Sequence, residues 1–322
     1  MKKFSVLILL CLNITIFGQN KEQLKQFLPT ENSSRITQME TYHGSDKIES
    51  RFDYKYTKKG LLESITRKIY KNNSWLPQES KNYTYNFESN TIICIHKPSF
   101  ISDGAIDFAK MRAFKKQIPE SDTFKIANGK IIYMSQYRKD NYGESLKQFL
   151  YEYNNDLLTK YTKKQFTYYE DKVNGEKVRK LSLSPSLCQY TITNSNGRIT
   201  ELLQEESSIK RKWSVIWNDN IMEKINVYEI KDNTETLFNI FEVNAQDNNI
   251  IEIIDYMTNE ENRSMVQKYS YKYNANNALT EYRHFDDSGV YVEKYFYEEG
   301  KGNAYLFIEK IRALDFFKPS IK

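Results

Sequence analysis

The chain has 322 residues and a formal net charge of +5, with acids and bases interspersed rather than blocked. That balance excludes a polybasic nucleic-acid face and a polybasic membrane anchor. With 25 tyrosines, 18 phenylalanines and only 6 prolines, the composition favours pleated, half-buried surfaces.

Residues 1–19 have the layout of a secretory signal peptide. Lys2 and Lys3 form the positive start, Phe4 to Phe17 is apolar apart from Ser5, Asn13 and Thr15, and Gly18 offers a small residue at the cut. The apolar run is too short to span a bilayer as a helix, and no later stretch approaches the ~20 apolar residues a membrane span needs. A lipoprotein variant through Cys11 is disfavoured because Leu10, the residue before it, is not small. The expected destination is the periplasm, the cell envelope or the exterior, with no membrane span after cleavage. Loss of Lys2 and Lys3 leaves a formal charge of +3. Residues 20–40 read as a polar N-terminal tether that begins with a short helical stretch before Pro29.

From 41 to 322 one unit recurs. Alternating aromatic and polar residues run into an Asn/Gly/Asp-rich turn and resume at a leucine or isoleucine. Clear copies are Phe52-Asp53-Tyr54-Lys55-Tyr56 before Gly60 and Leu61, Phe149-Leu150-Tyr151-Glu152-Tyr153 before Asn154 and Leu157, and Tyr269-Ser270-Tyr271-Lys272-Tyr273 before Asn274 and Leu279. The last apolar residues before the turns stand at 56, 85, 126, 153, 192, 217, 243, 273 and 297, and six of the eight spacings lie between 24 and 30 residues. Alternation places Phe52, Tyr54 and Tyr56 on one face and Arg51, Asp53 and Lys55 on the other, as in an antiparallel strand with one buried face. Asn and Gly supply the positive φ of a hairpin turn. A lone hairpin is marginal in water, so each must pack on its neighbours. The predicted fold is all-β: a long antiparallel meander of about nine hairpin repeats and 16 to 18 strands, forming a large curled or partly closed sheet.

The unit resembles the YD repeat of Rhs-like bacterial extracytoplasmic proteins. Tyr271-Lys272-Tyr273-Asn274 and Tyr151-Glu152-Tyr153-Asn154 carry the likeness, and Gly197-Arg198 gives the Gly-Arg that follows the turn. The pair that names the family is mostly Tyr-Asn or Tyr-Thr here. The resemblance covers residues 50 to 310 and implies a β-sheet shell or scaffold with an extracytoplasmic role.

Two segments interrupt the array. Residues 103–120 are predicted to form a helical insertion that plugs or caps part of the sheet, with Ile106, Ala109 and Ala113 on one face and Pro119 ending it. Lys163 to Arg179, rich in Lys, Glu and Tyr, reads as an extended hairpin.

Chemistry is sparse. His43, His96 and His284 fall in distant units without a partner at a metal-ligand spacing. There is no Gly-x-Ser-x-Gly elbow, phosphate loop or dinucleotide fingerprint. Cys94, in the apolar run Ile92-Ile93-Cys94-Ile95, suits a buried thiol better than a nucleophile. Cys94 and Cys188 are the pair available for a disulfide, the alternative being two separately buried thiols. Trp75, in the turn-like Asn72-Asn73-Ser74-Trp75-Leu76-Pro77, is the candidate exposed binding aromatic. No catalytic, cofactor or metal residues are predicted. The expectation is an exported, non-catalytic binding or scaffold protein with a glycan or protein partner and no nucleic acid. The alternatives are an outer-membrane barrel and an enzyme whose site is assembled from several repeats.

Overall fold

A computed structural model describes residues 23–24, 26–27, 34–44, 47–71, 73–102, 105–115, 118–140, 143–173, 176–182, 186–247, 249–259, 262–307 and 313–317. The signal-peptide region lies outside the described residues. The strands run in chain order as β1 (Ser34–His43), β2 (Ile48–Tyr56), β3 (Leu62–Lys71), β4 (Ser74–Asn86), β5 (Thr91–Pro98), the short pair β6 (Ile101–Ser102) and β7 (Ala105–Ile106), β8 (Ser121–Ala127), β9 (Lys130–Asp140), β10 (Gly143–Asn154) and β11 (Leu157–Val173). They continue as β12 (Glu176–Leu181), β13 (Ser186–Ser195), β14 (Arg198–Glu206), β15 (Ile209–Asn218), β16 (Ile221–Lys231), β17 (Thr234–Gln246), β18 (Asn249–Asn259), β19 (Asn262–Tyr273), β20 (Leu279–Asp286) and β21 (Gly289–Glu299).

The sheet is closed. β1 pairs antiparallel with β2 on one side and with β21 on the other, from Ser34↔Glu299 to His43↔Tyr291. Eighteen strands therefore form a complete antiparallel barrel, which corrects the expectation of a curled or partly closed sheet. Closure removes both edges, whose unpaired backbone groups would otherwise template pairing with other chains. β12 stands apart, paired only with β11, so the predicted hairpin across 163–179 is a two-stranded ribbon projecting from the wall.

The repeat has a physical basis visible at each junction. Tyr56 Oη donates to the carbonyl of Ile36 at 2.8 Å, Tyr85 to Leu62 at 2.9 Å, Tyr153 to Ile131 at 3.1 Å, Tyr273 to Ile250 at 2.7 Å and Tyr297 to Leu279 at 2.8 Å. Trp217 Nε1 does the same to Ile199 at 3.0 Å. At these six junctions the last aromatic before the turn thus ties its strand to an apolar residue near the start of the preceding strand. A phenol supplies both the apolar ring and the donor, which accounts for these five of the 25 tyrosines. Where the position is aliphatic, as at Ile192, Asn194 Nδ2 substitutes by donating to Leu158 O at 3.0 Å. A β-bulge accompanies most junctions, at Lys55/Tyr56, Glu152/Tyr153, Ile216/Trp217 and Lys272/Tyr273 among others. Each bulge adds local twist and bend, the curvature that lets the sheet meet itself. The turns use left-handed residues, as at Asn196 (φ 51°) and Gly197 (φ 78°), the pairing a two-residue type I′ turn requires.

The aromatic tier inside the barrel is filled by the chain's own ends. Ala304–Phe307 and Ala313–Phe316 are short 3₁₀ segments laid across the interior. Phe307 packs on Tyr83 and Phe124, Phe316 on Tyr161 and Tyr190, and Phe317 on Trp213. From the other terminus, buried Phe27 packs edge-on against Tyr85 and Phe87. Part of the stretch read as a tether is therefore seated in the core, and β1 begins at Ser34. The anchor of the C-terminal segment is Asn303, fully buried. Its Oδ1 accepts the Leu62 N–H at 2.7 Å, and its Nδ2 donates to Tyr85 Oη at 3.2 Å.

The helix is shorter than expected, Phe108–Lys115, and none of its described residues is buried. It does not plug the barrel. Phe100 packs edge-on against Phe114, and Met111 and Ile106 border a groove on the outer wall with Thr66, Pro77 and Ser80. The outer wall carries cross-strand charge clusters such as Arg51–Asp53–Lys68 and Lys272–Glu281–Arg283 beside exposed apolar residues such as Ile93, Leu187 and Phe296. A barrel in lipid instead carries an apolar outward band.

Candidate functional site in the barrel lumen

Strand alternation builds two tiers on the inner wall. Each strand sends an apolar or aromatic residue into the plugged tier and, two residues along, a polar one into the tier beyond it. Tyr83 is followed by Lys81, Cys94 by His96, Phe124 by Asp122, Phe149 by Lys147, Tyr161 by Lys163, Trp213 by Arg211, Phe241 by Asn239 and Ile253 by Asp255. The cross-strand register keeps these levels aligned: Lys81↔His96, Cys94↔Asp122, Asp122↔Gln136, Gln136↔Lys147 and Lys147↔Gln165.

The polar tier is divided by charge. Its β3–β11 half carries Arg67, Lys81, His96, Arg138, Lys147 and Lys163 with Asp122, and its β13–β21 half carries Glu206, Glu229, Asp255 and Glu293 with Arg211. Among the described residues, no carboxylate stands within ion-pair distance of Lys81, Lys147 or Lys163, and all three are half-exposed. In the other half Glu293 accepts from Tyr291 at 2.8 Å and also from Tyr295. Asp255 is buried and accepts from Asn239 Nδ2 at 2.8 Å. Burial raises its carboxyl to about 6, more than the Asn239 bond lowers it. Trp213 Nε1, Arg211 Nε and Asn239 Oδ1 are buried polar atoms without a hydrogen-bond partner; buried polar atoms are otherwise nearly always paired.

The densest chemistry is on β5 and β8. Cys94 and His96 are two apart on one strand and share its inward face, and Asp122 is the direct cross-strand partner of Cys94. His96 Nε2 lies 2.9 Å from Asp122 Oδ2, and an Arg138 terminal nitrogen lies 2.6 Å from Asp122 Oδ1. Burial would raise the Asp122 carboxyl, but the His96 and Arg138 contacts outweigh it and hold the group below its ordinary value. Burial pushes the Cys94 thiol up to about 12, and Asp122 adds to this; Lys81, Tyr83 and Arg138 offset only part. One donor atom each from Cys94, His96 and Asp122 lie within 4.8 Å of one another. The raised thiol value disfavours the thiolate form of Cys94 at neutral pH.

Cys94 and Cys188 are both buried free thiols. They lie on β5 and β13, with β8, β9, β10 and β11 between them around the wall, so the pairing considered from sequence is not made. Trp75 is the cross-strand partner of Tyr70 and contacts it edge-on at 5.4 Å, half-exposed near the β3–β4 turn and away from the lumen cluster. Trp213 is buried and stacks on Phe241 and Phe317. The histidines divide as well. His43 and His284 flank Tyr291 near Asp286, while His96 joins Cys94 and Asp122. Sequence reading missed that last grouping because it sought helical or loop ligand spacings. The available signal was Cys94-Ile95-His96, whose spacing of two on a strand puts both side chains on one face.

No family model matches the chain, and no curated protein matches it. Solved structures that overlap it include "Crystal Structure of TcdB2-TccC3-TEV" (11% identity, 75% of this chain and 14% of that one, TM-score 0.27). Two others are "Crystal Structure of TcdB2-TccC3" (11%, 75% and 15%, 0.24) and "Crystal Structure of TcdB2-TccC3-Cdc42" (6%, 78% and 15%, 0.22). The chain spans about one seventh of the length of each.

Proposed function

We propose that this is an exported, non-catalytic binding protein of the bacterial envelope or exterior, related in its repeat to YD-repeat proteins, which takes an anionic group of its ligand into the barrel lumen. The observation that carries this reading is the set of unpaired inward ammonium groups of Lys81, Lys147 and Lys163 on one wall. Charges in a recess with low-dielectric walls focus their field and draw in an opposite charge. The unpartnered polar atoms of Trp213, Arg211 and Asn239 add hydrogen-bonding capacity across the lumen. The unactivated thiol of Cys94 favours binding over catalysis, and the charged outer wall favours an aqueous barrel over the outer-membrane alternative.

The test uses the mature chain from residue 20, purified without detergent, against matched acidic and neutral glycans and peptides. Acidic members should bind, with affinity falling as salt rises, and a Lys81→Gln/Lys147→Gln/Lys163→Gln variant should lose them. Equal binding of neutral and acidic members, or turnover of a hydrolase substrate panel, would sink the proposal.

A further inference from the structure

We propose that Cys94, His96 and Asp122 form a divalent-cation site of the zinc class on the inner wall of the barrel. The donor set is one thiolate sulfur, one imidazole nitrogen and one carboxylate oxygen, the ligand types zinc accepts. Tetrahedral zinc with bonds of about 2.0–2.3 Å separates its donor atoms by roughly 3.3–3.8 Å. The three donors already lie within 4.8 Å of one another, and His96 Nε2 and Asp122 Oδ2 are 2.9 Å apart. Small side-chain rotations bring all three into range with no change in the backbone.

The backbone holding them is rigid for this purpose. Cys94 and Asp122 are paired residues in the ladder of a closed sheet, and His96 follows on the same face. Arg138 occupies the other oxygen of Asp122 at 2.6 Å and orients the carboxylate so that Oδ2 faces His96. An outer contact of this kind fixes a metal ligand's direction. On binding, the Cys94 S–H bond breaks and its proton passes to solvent. The proton on His96 Nε2 that bridges to Asp122 moves to Nδ1, so the imidazole binds through Nε2 as the neutral ring, and the Asp122 carboxylate binds in its ionised form; no electron transfer is involved. Thiolate and carboxylate together neutralise a 2+ ion, and Arg138, which then shares the Asp122 carboxylate with the metal, leaves the group at +1 overall. Three protein ligands leave a fourth position on the lumen side, where Lys81 stands opposite His96.

The experiment is metal loading of the purified mature chain after chelator stripping, with Zn²⁺ measured by elemental analysis and Co²⁺ followed by absorption. One equivalent of Zn²⁺ and a thiolate-to-cobalt charge-transfer band are expected. Cys94→Ser should abolish the band and weaken Zn²⁺ binding by at least about 100-fold, while Cys188→Ser should change neither. Zn²⁺ should also slow alkylation of Cys94 in the wild-type chain but not of Cys188, a readout that needs no variant to fold. Less than a tenth of an equivalent of bound metal, a band that survives Cys94→Ser, or alkylation rates indifferent to Zn²⁺ would overturn the proposal. Each of these outcomes is separable from the glycan and peptide binding test, which reads ligand affinity of the Lys81, Lys147 and Lys163 variant in the absence of metal and leaves Cys94 unchanged.

Discussion

Asp255→Asn is expected to stabilise the barrel at neutral pH. The carboxyl is buried on the inner wall between Phe241 and Gln267 on the flanking strands, and its hydrogen bond comes from Asn239. Its folded-state value of about 6, against an ordinary 3.8, means that the folded chain binds this proton more tightly than the unfolded chain. The associated stability is fully present below about pH 4 and is lost as pH rises through 6, so keeping the group ionised at pH 7 costs about 3 kcal/mol. Asparagine has nearly the same shape, still offers Oδ1 to Asn239 and carries no charge. The variant should melt about 5 °C higher than wild type at pH 7, and the difference should shrink towards zero by pH 4. Paired thermal melts across pH 4 to 8 measure this, because acid losses at other carboxylates are common to both proteins and cancel. A variant no more stable than wild type at pH 7, or an offset independent of pH, would refute the assignment of a desolvated carboxylate.

Asn303→Ala should cost about 1–3 kcal/mol by leaving the buried Leu62 N–H unpaired and should expose residues 304–307 to limited proteolysis ahead of the strands. Tyr273→Phe and Tyr56→Phe should each cost about 1 kcal/mol in urea unfolding, and Tyr153→Phe less, because its phenol is the more exposed. Asp122→Asn should destabilise the chain at pH 7 by about 2–3 kcal/mol, since it leaves Arg138 without its carboxylate, the loss being moderated by that arginine's partial exposure. The folded-state value of Asp122 is depressed, so its contribution is present above about pH 4 and lost as pH falls through the folded value. The variant should lack that part of the wild-type acid slope.

The strands were legible because alternation and turn chemistry are local. Phe52, Tyr54 and Tyr56 announce a face, and Asn196-Gly197 announces a turn. Closure was not, since it depends on Ser34–His43 pairing with Gly289–Glu299 across nearly the whole chain, and on bulges that add curvature without a residue signature of their own. Of the plug and the cap that residues 103–120 suggest, the interior plug is supplied by other segments, for a related reason. Residues 103–120 have helical periodicity, whereas Leu306, Leu314, Phe316 and Phe317 are scattered apolar residues whose value lies in the tier of rings they meet. The lumen cluster was legible only in its Cys94-Ile95-His96 part, because Asp122 lies 26 residues beyond His96, and nothing in the intervening insertion marks β8 as the neighbour of β5.

Pairing of the first strand with the last also has a kinetic meaning. Open repeat arrays can nucleate anywhere, propagate unit by unit and fray from their ends. A hoop has no end to fray from, and its last contact joins the residues farthest apart in sequence, the kind of contact that forms slowly. Until Gly289–Glu299 has been made and placed, both boundary strands present bare backbone. A sheet assembled before that pairing would present two open edges. The interval before the hoop shuts, and not the finished barrel, is where aggregation competes with folding.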